Sequence, residues 1–270
     1  MMTRAAPENH GGAPEVDSIV RTTCAIPEAK LRMAYFCSLL TAGPVDALAI
    51  TLDALCARAE QADLPAREAL VALVDAIAQP ECAGALQRLR EEAAGVPHLA
   101  LERIVRSPVS LQASRDVPSP EEDRVPDYGR GRPLSLGERK SLARGTDRDM
   151  LERLLRDPHP DVIRQLLANP KLTEDDVLRL AARRPCRPDV LLEIVRAPRW
   201  SHRARIRMSL VMNPDTPLTI AAPILGLLMR HELRLVATSP TVATAVRALA
   251  NEHLERKPPG AFPESEGDLQ

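Results

Sequence analysis

Aromatic residues are nearly missing from this chain of 270: two Phe, two Tyr and one Trp. Rings cannot dominate its interior, so Leu, Ala, Val and Ile must fill it. Interiors rich in Ala and Leu favour closely packed helices over β-sandwiches. Residues that favour strands are scarce and never alternate for long. Glycine is sparse, 12 against 25 prolines, a balance that fits proline used as punctuation and at first helical positions. The five cysteines, Cys24, Cys37, Cys56, Cys82 and Cys186, form no Cys-x-x-Cys pair. Zinc and iron–sulfur sites are therefore poorly supported, and reduced thiols in a cytoplasmic protein are the expectation. Met1 to Gly12 contain no apolar run of a secretory signal. The longest apolar run, Pro217 to Met229, is too short for a bilayer and is interrupted by Pro223, so no membrane association is expected.

Catalytic signatures are missing as well. There is no G-x-S-x-G elbow and no H-E-x-x-H helix. Gly137 to Ser141 lack the Gly-Lys pair and the preceding strand of a phosphate loop. The six histidines, His10, His98, His159, His202, His231 and His253, are scattered without metal spacing. No catalytic residue, metal ligand or cofactor is nominated, and the chain is expected not to be an enzyme.

A net charge of −1 hides an asymmetry. Residues 1–123 hold 11 Lys/Arg and 18 Asp/Glu, whereas residues 124–256 hold 24 and 16. An acidic first half and a basic second half can attract one another, or the basic half can face an anionic partner.

Met1 to about Ile26 reads as a disordered lead-in. From Glu28 the pattern turns helical: Leu31, Ala34, Tyr35 and Leu39 lie three and four apart. Pro44 opens a helix with Leu48, Leu52, Leu55 and Cys56 on one face, and Pro65 opens another with Leu70, Leu73, Val74 and Ile77. Shorter segments follow at 83–92 and 99–106. Residues 27–107 thus read as an N-terminal helical bundle. Residues 108–134, rich in Pro, Ser and charge, read as a solvated linker. Residues 135–256 read as a helical-repeat unit, and 257–270 as a disordered acidic tail.

The repeat signal is a set of proline turns: Asp157-Pro158, Asn169-Pro170, Ala197-Pro198, Asn213-Pro214 and Ser239-Pro240. Every second proline recurs, with separations of 40 (158 to 198), 44 (170 to 214) and 42 (198 to 240). That period with helical filling predicts an α-solenoid of stacked helix pairs, since one pair cannot bury its apolar stripe alone. Ser135 and Glu138 have the spacing of a capping box. Thr173 is expected to cap the next helix, with Glu174, Asp175 and Asp176 favourably placed on its first turn. Thr216-Pro217 repeats that start, and Pro223 is expected to kink or split the helix that follows. Arg203 to Met212 is expected to form a longer helix.

The stretch Asn169-Pro-Lys-Leu-Thr-Glu-Asp-Asp-Val-Leu-Arg-Leu-Ala181, with its partial echo Asn213-Pro-Asp-Thr-Pro-Leu218, resembles the leucine-rich repeat variant proteins of bacteria and, more broadly, HEAT-like helical repeats. The resemblance covers about residues 148–254. It implies an all-α curved array of short helices with a binding surface, and no enzyme. One type in that family carries an iron–sulfur cluster on closely grouped cysteines; this chain lacks the grouping, so the cluster is not carried over.

The strongest candidate surface is arginine-rich. Arg183, Arg184, Arg187, Arg196, Arg199, Arg203, Arg205 and Arg207 face only Asp189 and Glu193 between residues 183 and 207. On one helix Arg199, Arg203 and Arg207 would form a ladder, with Arg196 a turn earlier and Trp200 and His202 beside it. Such a face can pair with carboxylate or phosphate, or it can be a solvated face whose aliphatic stems cover apolar surface. Trp200 can stack on a ligand or anchor the packing between repeats. A second candidate is Asp127 to Pro133, where Tyr128, Arg130 and Arg132 can dock the linker onto the repeats. The resulting expectation is a protein-interaction or scaffold module whose partner presents an acidic segment. Nucleic-acid binding through phosphates is the alternative. An enzyme built like the HEAT-like alkylpurine DNA glycosylases would need an aromatic-lined cleft that so few rings cannot build.

Overall fold

Val16, Ile19, Val20 and Thr23 recur at helical spacing and form the first helix, which starts twelve residues before the pattern at Glu28–Leu39. A computed structural model describes residues 15–95, 99–107, 125–129 and 131–256. Every regular element among the described residues is helical. Of the expected disordered lead-in over 1–26, residues 1–14 lie outside the described residues, and the rest is corrected: α1 (Val16–Ala25) buries Ile19, Val20 and Thr23, and the Thr23 hydroxyl is satisfied by the Ile19 carbonyl at 2.8 Å. The expectations for 108–124 and 257–270 lie outside the described residues.

Five more helices complete the N-terminal half: α2 (Ala29–Ala42), α3 (Val45–Glu60), α4 (Leu64–Ile77), α5 (Ala83–Gly95) and α6 (Leu99–Val105), with one tight turn at Pro80–Cys82. Helix α4 is the hub. It packs against α1, α2 and α3 and buries Ala66, Ala69, Leu70, Ala72, Leu73, Val74 and Ala76 around its circumference. Alanine at those positions lets neighbouring helices approach closely, and a helix that is apolar all round belongs in the middle. Asp63 starts α4 by accepting the Ala66 N–H at 3.1 Å. Asp53 starts α6 from a distance, accepting the N–H groups of Ala100 and Leu101, each at 2.9 Å.

The second half comprises α7 (Leu136–Leu142), α8 (Arg148–Leu154), α9 (Pro160–Leu167), α10 (Glu174–Ala182), α11 (Pro188–Val195), α12 (Pro198–Ser201), α13 (Ala204–Met212), α14 (Leu218–Leu227), α15 (Arg230–Thr238) and α16 (Thr244–Arg256). Helices α9, α11 and α12 open on proline, as first helical positions permit. Both expected caps form. Ser135 and Glu138 make a capping box, and Thr173 makes another with Asp176. Thr216 is a correction: its hydroxyl donates to the Leu210 carbonyl at 2.6 Å instead of capping α14. Pro223 does not split its helix: α14 continues through it. The hydrogen bond lost at Pro223 is outweighed by burial, with Ile220 to Leu227 all buried.

Three of the five proline turns share one device. The side chain before the proline accepts the N–H two residues on: Asp157 from His159 at 2.8 Å, Asn169 from Lys171 at 2.8 Å and Asn213 from Asp215 at 3.0 Å. The two asparagines do more. Asn169 Nδ2 donates to the carbonyls of Ala143 and Gly145, both at 2.8 Å. Asn213 Nδ2 donates to those of Ala181 and Arg183, at 2.7 and 3.0 Å. Each buried asparagine therefore ties the exit of its own helix, α9 or α13, to the exit of an earlier one, α7 or α10. Helix α9 packs against α7 and α11, and α13 against α10, α14 and α15. Bidentate ion pairs repeat the same step: Arg148 reaches Asp176, and Arg164 reaches Glu193 at 2.8 and 2.9 Å.

Helix α14 joins the halves. It packs against α4 and α6 on one side and α13 and α16 on the other. Gly226 permits this, because a Cβ there would lie 2.3 Å from Ile104 Cδ1. Polar contacts reinforce the seam. Asp75, buried on α4, accepts Ser201 Oγ at 2.7 Å and lies 2.6 Å from His202 Nε2. Glu60 pairs with Arg103 at 2.9 and 2.7 Å and sits 3.6 Å from His253 of α16. Burial would raise the Glu60 carboxyl, but hydrogen bonds from His253 and Arg103 outweigh it and hold it below the usual range. No single helix among the described residues is long and apolar enough to cross a membrane.

Candidate partner-binding groove

The arginine ladder does not form. Pro198 opens a short α12 that ends at Ser201; His202 turns the chain, and Arg203 is the residue before α13. Spacing four counts as one face only along a continuous helix, so Arg199, Arg203 and Arg207 part company here. Arg207 folds back over the corner and donates to the carbonyls of Ser201 and His202 at 3.4 and 3.2 Å. Burial lowers its pKa. Arg203 remains exposed, 3.7 Å from Glu174. Arg205 is exposed too, 3.6 Å from Asp175 and 4.0 Å from Glu174.

Trp200 is 2 % exposed, and its Nε1 donates to the Leu167 carbonyl at 2.8 Å. It is a packing anchor between α9 and α12 and offers no stacking platform to a ligand. Its ring instead supports Arg199, whose guanidinium lies 4.4 Å from the ring centroid. Arg199 donates to the carbonyls of Asn169 and Leu172 at 3.0 and 3.2 Å, and no carboxylate pairs with it among the described residues. Carbonyls fix its position without cancelling its charge.

Arg196 stays beside Arg199. It donates to the Ala78 carbonyl at 2.8 Å and to Glu193 at 2.9 Å. Together with Arg164 these side chains line a groove of about 550 Å³, between the Pro80 turn of the first half and the α9–α11–α12 corner of the second. Comparison with protein-family models, curated proteins and solved structures found no match. The groove has to be read from its own chemistry.

Its charged lining is Arg164, Arg196 and Arg199 against Glu81 and Glu193, a small positive excess. Glu193, itself buried, holds both Arg164 and Arg196 and raises the Arg164 pKa through its hydrogen bonds. Arg199 carries an uncompensated charge at the groove's edge. Sequence reasoning missed Arg164 because it sits outside the arginine run. The signal was available as register: Arg164 and Glu193 are 29 residues apart, and Arg148 and Asp176 are 28 apart, so each pair bridges helices two apart along the chain, α9 to α11 and α8 to α10. The groove also abuts a second, apolar cavity, and the two share Gln79, Pro80 and Arg196.

The linker residues separate as well. Tyr128 is buried against the second-half core and donates its hydroxyl to Asp157, which also accepts Arg139 at 2.8 Å. Burial first, and the Asp157 carboxylate second, push the phenol's pKa up. Arg132 is exposed and pairs with Glu138, whose carboxyl is held down to about 2 by Arg132 and by the Ser135 backbone. Arg130 lies outside the described residues. Tyr128 thus serves as an internal anchor, and Arg132 supports the start of α7.

Proposed function

We propose that this chain is a non-enzymatic protein-interaction or scaffold module of the cytoplasm. Its residues 135–256 would form a HEAT-like α-solenoid of the leucine-rich repeat variant kind, joined by residues 108–134 to an N-terminal helical bundle. The repeated asparagine ties and the 28- and 29-residue ion pairs support the repeat reading. The observation that carries the functional reading is Arg199: a guanidinium seated on a tryptophan, pinned by carbonyls, with no carboxylate paired to it among the described residues. A partner's carboxylate would complete it with little ordering cost, because the side chain is already fixed. With Arg196 and Arg164 next to it, an extended acidic segment fits the groove better than a single anion.

The exposed Arg203 and Arg205 favour a second reading, contact with a nucleic-acid backbone. Against it stand Glu174 and Asp175 beside those arginines and the burial of Trp200, which removes the stacking ring. The test is a titration of the full chain, at low salt, against a labelled Glu/Asp-rich peptide and against mixed-sequence duplex DNA. Peptide binding is expected, with Arg199→Glu weakening it about tenfold or more and leaving the helical circular dichroism unchanged. Failure of the peptide to bind sinks the proposal; salt-sensitive DNA binding in its place establishes the second reading.

A further inference from the structure

Beside the arginine groove lies a cavity of about 410 Å³ whose walls come from both halves of the chain. Val74 and Ile77 of α4, Ile104 of α6, Leu192 and Val195 of α11 and Ile220 of α14 make it apolar. Arg90, from α5, projects into this lining. Its Nε donates to the Val105 carbonyl at 2.7 Å, and among the described residues no carboxylate pairs with it. The other charges at the cavity are already matched: Asp189 with Arg187 at 3.0 Å, and Arg196 with Glu193 at 2.9 Å.

We propose that this cavity binds a small amphipathic carboxylate, with a hydrocarbon body against the apolar walls and a single anionic head on the free edge of Arg90. The proposal does not need the acidic-partner reading, since its anion sits on Arg90, although the cavity and the groove share Gln79, Pro80 and Arg196. A guanidinium remains charged at any physiological pH. Burial already works against that charge, lowering the Arg90 pKa, so an anion delivered to it relieves an unfavourable state. A neutral hydrocarbon would leave the charge unmatched, and a cation would be repelled. Small-molecule sites are commonly cavities of this size, apolar with one or two placed polar groups.

The experiment uses the full chain and three ten-carbon probes, each below its micelle-forming concentration: decanoate, decanol and decyltrimethylammonium. Calorimetric titration is expected to show saturable decanoate binding, and thermal melting a higher Tm, because the ligand touches both halves. Arg90→Gln should weaken decanoate about tenfold or more while leaving decanol unchanged. Arg88→Gln, an exposed arginine two residues away, should change neither, which rules out a net-charge effect. Ala83→Trp, at an exposed position on the cavity rim, should block decanoate without touching the core, so the test survives if Arg90→Gln fails to fold. No saturable decanoate binding, equal affinity for all three probes, or decanoate binding that survives both Arg90→Gln and Ala83→Trp overturns the proposal.

Discussion

Replacing Asn213 by Ala should destabilise this protein far more than its place in a surface turn suggests. The side chain makes three hydrogen bonds: Nδ2 to the carbonyls of Ala181 and Arg183, and Oδ1 from the Asp215 N–H. Ala181 is fully buried, so water cannot take over its carbonyl, and an orphaned buried acceptor costs about 1–3 kcal/mol. Arg183 and Asp215 are half-buried, and water recovers part of each of those bonds, leaving about 0.5–1 kcal/mol lost at each. The expected cost is about 2–5 kcal/mol. Asn169→Ala should cost somewhat less, because Ala143 is equally buried but Gly145 and Lys171 are exposed and water recovers more of their bonds. Asn213→Asp should be at least as damaging, since an anionic oxygen would face two carbonyl oxygens where an amide donor belongs. Urea unfolding followed by circular dichroism reads the effect. With a slope of about 2–3 kcal/mol per molar for a chain of this size, the midpoint should fall by roughly 1 M. A loss under about 0.5 kcal/mol, or an Asp variant milder than the Ala variant, would show that the asparagine ties do not hold the turns together.

Two other perturbations probe different joints. Gly226→Ala places a methyl 2.3 Å from Ile104 Cδ1 in the packed seam and should cost about 1–3 kcal/mol in urea unfolding. Adding Ile104→Val, which removes that carbon, should recover most of the loss; no recovery would mean the clash lies elsewhere. The Asp176 carboxyl is held well below the usual range, first by its hydrogen bonds from Arg148, and a carboxylate with a lowered folded pKa stabilises above its unfolded pKa. Its contribution should be intact above about pH 4 and lost as pH falls through the folded value. The Tm gap between wild type and Asp176→Asn should therefore be widest near neutrality and close toward pH 2; a gap independent of pH would refute the ion pair.

What could be read beforehand, and what could not, divides by distance along the chain. The boxes at Ser135–Glu138 and Thr173–Asp176 were legible because cap and partner are three residues apart. Helix α1 was legible too, in Val16, Ile19, Val20 and Thr23, but the polar stretch before it masked the period. The Asn-Pro turns were visible as punctuation, while the purpose of the asparagines was not, since their acceptors lie 24 to 32 residues away. The arginine run failed as a ladder for a related reason. Spacing along a sequence becomes a face only if the helix is continuous, and the turn at His202 breaks it.

Composition and periodicity alone determined that this chain is helical, that proline marks its turns, and that its second half carries excess positive charge. Those properties are local: they follow from backbone preferences and from which side chains can share one helix face. Tertiary structure decided which charges survive. Within the 183–207 run Arg187, Arg196, Arg203 and Arg205 reach carboxylates, whereas Arg183, Arg184, Arg199 and Arg207 meet carbonyls, as Arg90 does outside the run. That selection depends on helices brought together from both halves by α14, and a charge's availability is set by what packs around it in space, which no stretch of sequence records.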